Sequence, residues 1–395
     1  MRLRQFKSKF WLVALVATCA KILLMFYPPE GDLINWAGVA NAILTTILTG
    51  RYATALNTGV YGGLGLLLVP FLWIWFQLPI SHPPVTWEYM LFGTSPSVLT
   101  LAFLLKVPTL LADIGTGILV MKIVGKETGR TSNGRVAFLL WYLNPFNVYW
   151  INLFGGMDII PTFIFMLALK FALDEKWLRS GFGVAIGTIT RIFPIFSLPF
   201  LLMIRSDRRR WKLSFLTAAL APLILGTIVL IAIGGSTLTS MAATPERQYW
   251  LLDFVGYDLT PNVKLTLVVL ALQLYIVYRF WKDHTPISLA TVSVLALLTA
   301  AQAYGGSTHH FLWVSPLLTT SVMLNSNERI PFALAFITAC VAPSIFIPLP
   351  AYSDTLTWGA FWASKAIYLL RINLSNIKLP NPTQTISINE KAMQN

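Results

Sequence analysis

The sequence predicts an all-α polytopic membrane protein, and its composition is the main reason. Of its 395 residues, 56% are hydrophobic and 11% are charged, whereas a soluble domain carries about 25% charged residues. The mean hydropathy is +0.67, and apolar runs recur along the chain. Since each span needs about 20 apolar residues, we expect one integral membrane domain over residues 1–395 with about 10–13 transmembrane or re-entrant helices. An ordinary soluble enzyme, a disordered protein and a disulfide scaffold are excluded.

The net charge of +13 indicates cytoplasmic loops rich in lysine and arginine rather than a nucleic-acid partner. Most of the 29 lysine and arginine residues fall in short stretches between apolar runs, as the positive-inside rule requires. The two cysteines, Cys19 and Cys340, lie inside apolar runs and do not resemble a disulfide pair.

The first segments predict a cytoplasmic N-terminus and an outer loop. A basic stretch, Met1 to Lys9, precedes an apolar run from Phe10 to Tyr27, which we interpret as a retained first helix. Residues 28–61 then form the first outer loop. Within it, apolar residues at helical spacing over 32–50 predict an amphipathic helix in the outer interface.

Further apolar runs predict the remaining helices. Residues 62–80 are broken by Pro70 and are either a span or a re-entrant element. The runs 136–152 and 158–173, with Gly155, Gly156 and Pro161 at their turn, predict one hairpin of short helices. The run 181–204, interrupted by Arg191, Pro194 and Pro199, predicts a second hairpin, and such broken helices lie at membrane depth only where they line a cavity. Residues 235–261 form a second outer loop. The runs lie at about 98–121, 136–152, 158–173, 181–204, 213–234, 262–280, 286–304, 310–325, 330–349 and 358–371.

Two acids at the start of the first outer loop are candidates for chemistry. Glu30 could contact a sugar or an acceptor. Asp32 could act as a general base on a sugar hydroxyl, because an apolar surface raises the pKa of a nearby carboxylate. The alternative is that Asp32 caps the helix that follows it.

Arg191 and Lys106 are candidates for binding phosphate. Arg191 lies in an apolar run, where an unpaired charge is costly, and a guanidinium binds phosphate in a bidentate manner. Its alternative is an ion pair with Asp158 or another buried acid. Lys106 could reach the same phosphate or extend to the interface. Asp113 lies seven residues further on, about 10.5 Å along a helix, so each of the two needs a different partner.

The remaining candidates lie in outward connections. Asp158 follows two glycines and could hold a sugar or cap a helix. His309 and His310 point in different directions on a helix, so we expect hydrogen bonding there rather than a shared metal. Asp258 lies among aromatic and acidic residues in 235–261, a composition typical of a carbohydrate site or of an aromatic interfacial belt. No cofactor is expected, and a divalent metal has no support in the sequence.

Several motifs in the same order resemble the GT-C class of membrane glycosyltransferases that use polyprenyl-phosphate sugars. The pattern is most similar to the catalytic subunit of GPI mannosyltransferase I and its prokaryotic relatives. The matching positions are Glu30-x-Asp32, Lys106 with Asp113, Asn144-Pro145 with Gly155 and Asp158, Arg191-Ile192-Phe193-Pro194, and Phe311-Leu312-Trp313 with Pro316.

The resemblance implies an inverting transfer of a hexose, mannose in that family, to an extracytoplasmic lipid or glycan acceptor. Asp32 would take the proton of the acceptor hydroxyl. Arg191, with Lys106, would hold the phosphate of a polyprenyl-phosphate donor on the extracytoplasmic side. The direct attack follows the logic of inverting glycosidases, and the phosphate leaving group needs a cation.

Two other functions remain open from the sequence. A membrane transporter or a flippase for lipid-linked saccharides would also use broken helices, but it often carries them in both halves, and no second copy is visible here. A lipid-sugar polymerase or ligase would share the outer site and would use a lipid-linked oligosaccharide.

Overall fold

Helices make up all the regular structure in the part of the chain that the computed structural model describes. This part comprises residues 2–28, 31–50, 62–83, 85, 95–191, 194, 201, 213–222, 224, 312–313 and 315–324. The chain divides into two compact units, Met1–Leu324 and Asn325–Asn395, and every described residue belongs to the first. The fold is the all-α one predicted for a polytopic membrane protein. The candidates Glu30, Asp258, His309 and His310 lie outside the described residues, as does the loop 235–261.

The described helices are numbered in chain order. They are α1 (Arg2–Leu24), α2 (Gly31–Thr49), α3 (Gly62–Gln77), α4 (Pro96–Glu127), α5 (Thr131–Tyr142), α6 (Ile159–Leu173), α7 (Trp177–Thr190), α8 (Leu213–Pro222) and α9 (Ser315–Leu324). Between α5 and α6 lie a short turn of helix, Pro145–Asn147, and a π-helix, Val148–Leu153.

The longest described helix, α4, is at the centre of the packing. Ser95 caps its N-terminus by accepting a hydrogen bond from the Val98 amide, and Pro96 occupies the first helical position, where its missing N–H costs nothing. The helix ends at Glu127. Thr128 is its C-cap residue, and Gly129 follows with a φ of +65°. Helix α4 contacts α3, α5, α6, α9 and the π-helix. It extends beyond the predicted run 98–121 because Lys122, Lys126 and Glu127 continue the helix past its apolar part.

By length and composition, α4 is the described helix that could cross a membrane, and several shorter described helices are also apolar. One of these is α3, which continues through Pro70 and, at 16 residues, is about 24 Å long. Since the hydrocarbon core is about 30 Å thick, α3 is shorter than a straight span.

The amphipathic helix predicted over 32–50 is confirmed as the helix α2. Its buried face includes Leu33, Trp36, Ala37, Ala40 and Ile43, all at most 2% exposed, and it packs against α3. The other side carries exposed residues such as Asn35 and Thr45, which gives the periodicity that predicted the helix.

Helices α6 and α7 form a hairpin that differs from the two predicted in the region 136–204, because its turn lies between the run 158–173 and the run 181–204. These helices pack against each other and are joined by the three residues 174–176. Ser180 of α7 donates a hydrogen bond of 2.8 Å to the Ala168 carbonyl of α6. The hairpin therefore places the first residue before α6 and the first residue after α7 at the same end.

Candidate functional site

The open end of the α6–α7 hairpin holds a buried ion pair. Asp158 precedes α6 and Arg191 follows α7, and Arg191 Nε lies 3.2 Å from Asp158 Oδ1. The Asp158 side chain is 2% exposed and that of Arg191 is 11% exposed. The internal pair that was one alternative for Arg191 is thus present.

Helix ends explain why these two residue types occupy these positions. Asp158 stands at the N-terminus of α6, where the helix dipole favours a negative charge, and Arg191 stands at the C-terminus of α7, where it favours a positive one. Asp158 occupies the N-cap position, but its side chain makes no capping hydrogen bond. Asp158 therefore forms the ion pair that was one alternative for Arg191, and the predicted side-chain cap is not formed.

A fully buried lysine lies nearby on α4. The Lys106 ammonium donates hydrogen bonds to the Tyr27 carbonyl at 2.8 Å and to the Leu153 carbonyl at 2.5 Å. These carbonyls lie just past α1 and at the last residue of the π-helix, so one cation serves two helix C-termini. Lys106 is 0% exposed, so its ammonium lies inside the protein at these two carbonyls.

Gly155 lies between this lysine and the start of α2, close in sequence to Asp158. It has a φ of +80°, and a Cβ built on it would lie 2.6 Å from Leu33 Cδ2 and 3.2 Å from Lys106 Cε. Glycine is needed here for both the conformation and the close approach. Since Gly155 and Asp158 are three residues apart, their Cα atoms are at most about 11 Å apart.

Two sets of contacts, Gly155 with Leu33 and Lys106 and Asp158 with Arg191, join residues that are far apart in sequence. We call Leu33, Lys106, Gly155, Asp158 and Arg191 the Arg191 site. Asp32 is the second residue of α2 and precedes Leu33 directly, so its backbone lies beside the site. The first turn of a helix also favours a negative charge, which agrees with either predicted role of Asp32.

A second buried ion pair lies between α1 and α4. The sequence analysis singled out its acid, Asp113, but not its partner, Lys21. Asp113 of α4 pairs with Lys21 of α1, with 2.5 Å between Nζ and Oδ2. Lys106 and Asp113 therefore have separate partners, as their spacing predicts. A lone lysine in the first apolar run and a lone aspartate in a later one were the available signal, because charges in a membrane segment pair with each other.

The described residues contain no group of three or more His, Cys, Asp and Glu side chains that could hold a metal ion. The expectation that the protein uses no cofactor remains a prediction. The chemistry that the Arg191 site offers is a guanidinium and an ammonium at helix ends, which are groups suited to a phosphate.

Comparison with known families gives one result. A family model described as GPI transamidase subunit PIG-U matches residues 50–266, which is more than half of the 395-residue chain. No curated protein and no solved structure matches the chain. The matched range includes Lys106, Gly155, Asp158 and Arg191, and it begins after Asp32. The matched family is not that of the mannosyltransferase I catalytic subunit, which the sequence motifs resemble.

Proposed function

Because the chain belongs to the family of GPI transamidase subunit PIG-U, we propose that it is a membrane protein that acts on a lipid-linked saccharide. At a finer level, we propose that it transfers a hexose from a polyprenyl-phosphate donor to an extracytoplasmic lipid or glycan acceptor. The observation that carries this proposal is the buried Asp158–Arg191 pair, three residues along the chain from Gly155, which lies against Leu33 of α2.

Arg191 is the proposed phosphate ligand. Its guanidinium is planar and carries five N–H donors, and Asp158 contacts it at Nε. A phosphate would bind through the Nη groups while Asp158 keeps the guanidinium plane fixed. Lys106 adds a positive charge behind the site, although its ammonium also holds the Tyr27 and Leu153 carbonyls.

Asp32 is the proposed general base. Its carboxylate takes the proton of the acceptor hydroxyl, and the acceptor oxygen forms a bond to the anomeric carbon while the bond from that carbon to the phosphate oxygen breaks. The polyprenyl phosphate leaves with the bonding electrons, and Arg191 stabilises its negative charge. Because the attack comes from the face opposite the phosphate, the configuration inverts.

The family match favours a second candidate function. A GPI transamidase subunit is part of an assembly. The matched range contains Lys106, Asp158 and Arg191 but not Asp32. In this alternative the chain holds a lipid-linked saccharide for a partner subunit and breaks no bond itself. Both candidates need Arg191, but only the first needs Asp32.

A transfer and binding assay with two variants separates the candidates. Purified protein in lipid vesicles receives radiolabelled polyprenyl-phosphate-mannose and a lipid extract as the acceptor source. Asp32→Asn is expected to lower the transfer rate by about 10²–10⁴-fold and to leave donor binding unchanged. Arg191→Gln removes a charged hydrogen-bond donor worth about 1.5–3 kcal/mol, so the donor should bind about 10–100-fold more weakly.

The matched control is Asp174→Asn, the same chemical change at the turn between α6 and α7, which lies at the far end of the hairpin. It should affect neither donor binding nor transfer. Wild-type protein that binds the donor but transfers no hexose would support the second candidate. Transfer that survives Asp32→Asn would remove Asp32 from the mechanism.

A further inference from the structure

The Lys21–Asp113 pair belongs to a buried chain of hydrogen bonds that joins distant parts of the protein. Trp141 Nε1 of α5 donates to Asp113 Oδ1 at 2.9 Å, and the Trp141 carbonyl accepts a hydrogen bond of 2.9 Å from Asn147 Nδ2. Ser315 of α9 then donates to Asn147 Oδ1 at 3.4 Å. The chain thus links α1, α4, α5, the turn Pro145–Asn147 and α9.

The pair also fixes the last turns of α1. Lys21 Nζ lies 3.6 Å from the centre of the Tyr142 ring, where a cation is attracted to the ring face. The Tyr142 hydroxyl is 2.9 Å from Thr18 Oγ1, one turn earlier on α1. Two successive turns of α1 are therefore held against α4 and α5 by polar contacts.

A buried ion pair is a costly way to hold helices together. Well-packed apolar residues of similar volume are often as stable or more stable, because the charges lose their solvation. A charge pair differs from apolar packing in that it accepts only a narrow range of distances and directions. Lys21 at 2% exposure and Asp113 at 0% therefore define one relative position of α1 and α4.

That position matters because α1 leads directly into the proposed site. The carbonyl of Tyr27, three residues past the end of α1, accepts a hydrogen bond from Lys106 of α4. Asp32 follows Tyr27 by five residues. A shift of α1 along α4 would move this carbonyl away from Lys106 and would carry the start of α2 with it.

We propose that Lys21 and Asp113 are positioning residues for the Arg191 site, an inference that rests on the proposed transfer function. Their ion pair sets the position of α1 against α4 and, through the short connection from α1, the place of Asp32 at the start of α2. Neither residue contacts the phosphate or the sugar.

The test uses the double variant Lys21→Met/Asp113→Asn. Methionine is an unbranched, uncharged side chain one atom shorter than lysine, and the asparagine oxygen can still accept the hydrogen bond from Trp141. The matched control is Lys126→Met/Asp174→Asn, the same pair of changes at an ion pair of 2.6 Å whose lysine is 53% exposed. Both proteins should unfold at temperatures close to the wild type, because a buried pair and an exposed pair each contribute little net stability.

Transfer kinetics give the first readout. A small misplacement near the reacting groups can cost about 10²-fold in rate, so kcat should fall by about 10–100-fold in the Lys21/Asp113 variant. The KM for the lipid donor should stay within about threefold, because Arg191 still binds the phosphate. The control variant should keep both constants. A purely structural pair would lower activity only in proportion to the loss of folded protein, and that result would overturn the inference.

A distance measurement gives a readout that does not depend on transfer. Spin labels at Leu23→Cys and Leu111→Cys, whose native side chains are 73% and 61% exposed, report the distance between α1 and α4 in a Cys19→Ser/Cys340→Ser background. The distance distribution should shift or broaden in the Lys21/Asp113 variant and not in the control. An unchanged distribution would overturn the inference even if the wild type transfers no hexose.

Lys21→Arg provides the second variant, in case the double variant does not fold. It keeps the charge but changes the reach of the side chain, so it should move α1 relative to α4 and partly retain transfer. An unchanged distance together with full transfer would show that the geometry of the pair does not control the site.

Discussion

Replacing Gly155 with alanine should disturb the Arg191 site more than any effect on the local backbone can explain. At a φ of +80°, an alanine pays about 1–2 kcal/mol for the left-handed conformation. Its Cβ would also lie 2.6 Å from Leu33 Cδ2, closer than carbon atoms approach. Leu33 is 0% exposed and cannot swing into open space, so overpacking adds about 1–3 kcal/mol. The expected total is about 2–5 kcal/mol.

Gly129→Ala is the matched control for this prediction. Gly129 has a φ of +65°, and nothing lies within 4 Å of the Cβ position. Its alanine variant should therefore pay the conformational cost alone, about 1–2 kcal/mol. The difference between the two variants, about 1–3 kcal/mol, isolates the contacts of the added Cβ, of which the closest is with Leu33.

Denaturant unfolding of both variants in detergent micelles measures this difference, and hexose transfer measures its effect on the site. Gly155→Ala should lower kcat by about 10²-fold, since it pushes the residue next to Asp32, whereas Gly129→Ala should leave kcat unchanged. Equal destabilisation of the two variants would refute the contact argument. Equal kcat values would show that the position of Leu33 does not affect the transfer step.

Two further predictions concern the charged groups. Asp158→Asn leaves the Arg191 guanidinium largely buried beside a neutral amide; it should destabilise the protein toward the lower end of about 3–5 kcal/mol, because Arg191 keeps 11% exposure. Denaturant unfolding measures this loss, and a value under about 1 kcal/mol would contradict a buried pair. For Asp174, partial burial raises the pKa, but hydrogen bonds from Lys126 and Lys170 outweigh it and hold the pKa below its usual value. A depressed pKa gives stability that is present above the unfolded-state value of about 3.9 and is lost as the pH falls through the folded-state value. Thermal unfolding from pH 6 to pH 3 should therefore show a smaller acid-induced loss in Asp174→Asn than in the wild type.

Hydrophobic pattern was sufficient to predict several helices. The spacing of apolar residues over 32–50 predicts α2 to within one residue of its observed ends, Gly31 and Thr49, because one face of the helix is buried and the other is not. The glycines and prolines of the region 136–204 predict short helices, but the hairpin that forms, α6–α7, turns at residues 174–176 and not at the predicted positions. Such signals are local and can be read from neighbouring residues.

The π-helix and the Lys21–Asp113 pair could not be located in the same way. A π-helix depends on i→i+5 hydrogen bonds and has no sequence period that distinguishes Val148–Leu153 from an α-helix. Lys21 and Asp113 are 92 residues apart, so their contact depends on how α1 packs against α4. The predicted role of Arg191 followed from its own side chain and its apolar surroundings. Its partner could be any of several acids, because the sequence alone does not show which acid lies next to Arg191.

The two buried ion pairs differ in ways that indicate which one a ligand can reach. Lys21–Asp113 is the shorter pair and lies between helices, with Trp141 and Tyr142 closing it off. Asp158–Arg191 has 3.2 Å between its atoms, lies at two helix ends, and leaves its arginine 11% exposed. The backbone at Arg191 is extended, with φ −156° and ψ 139°, so this residue has already left the helix. A phosphate approaching the open end of the hairpin would meet Arg191 first, while Lys21 would remain enclosed. Substitutions at Arg191 should therefore change the affinity for the donor, and substitutions at Lys21 should change the rate of transfer.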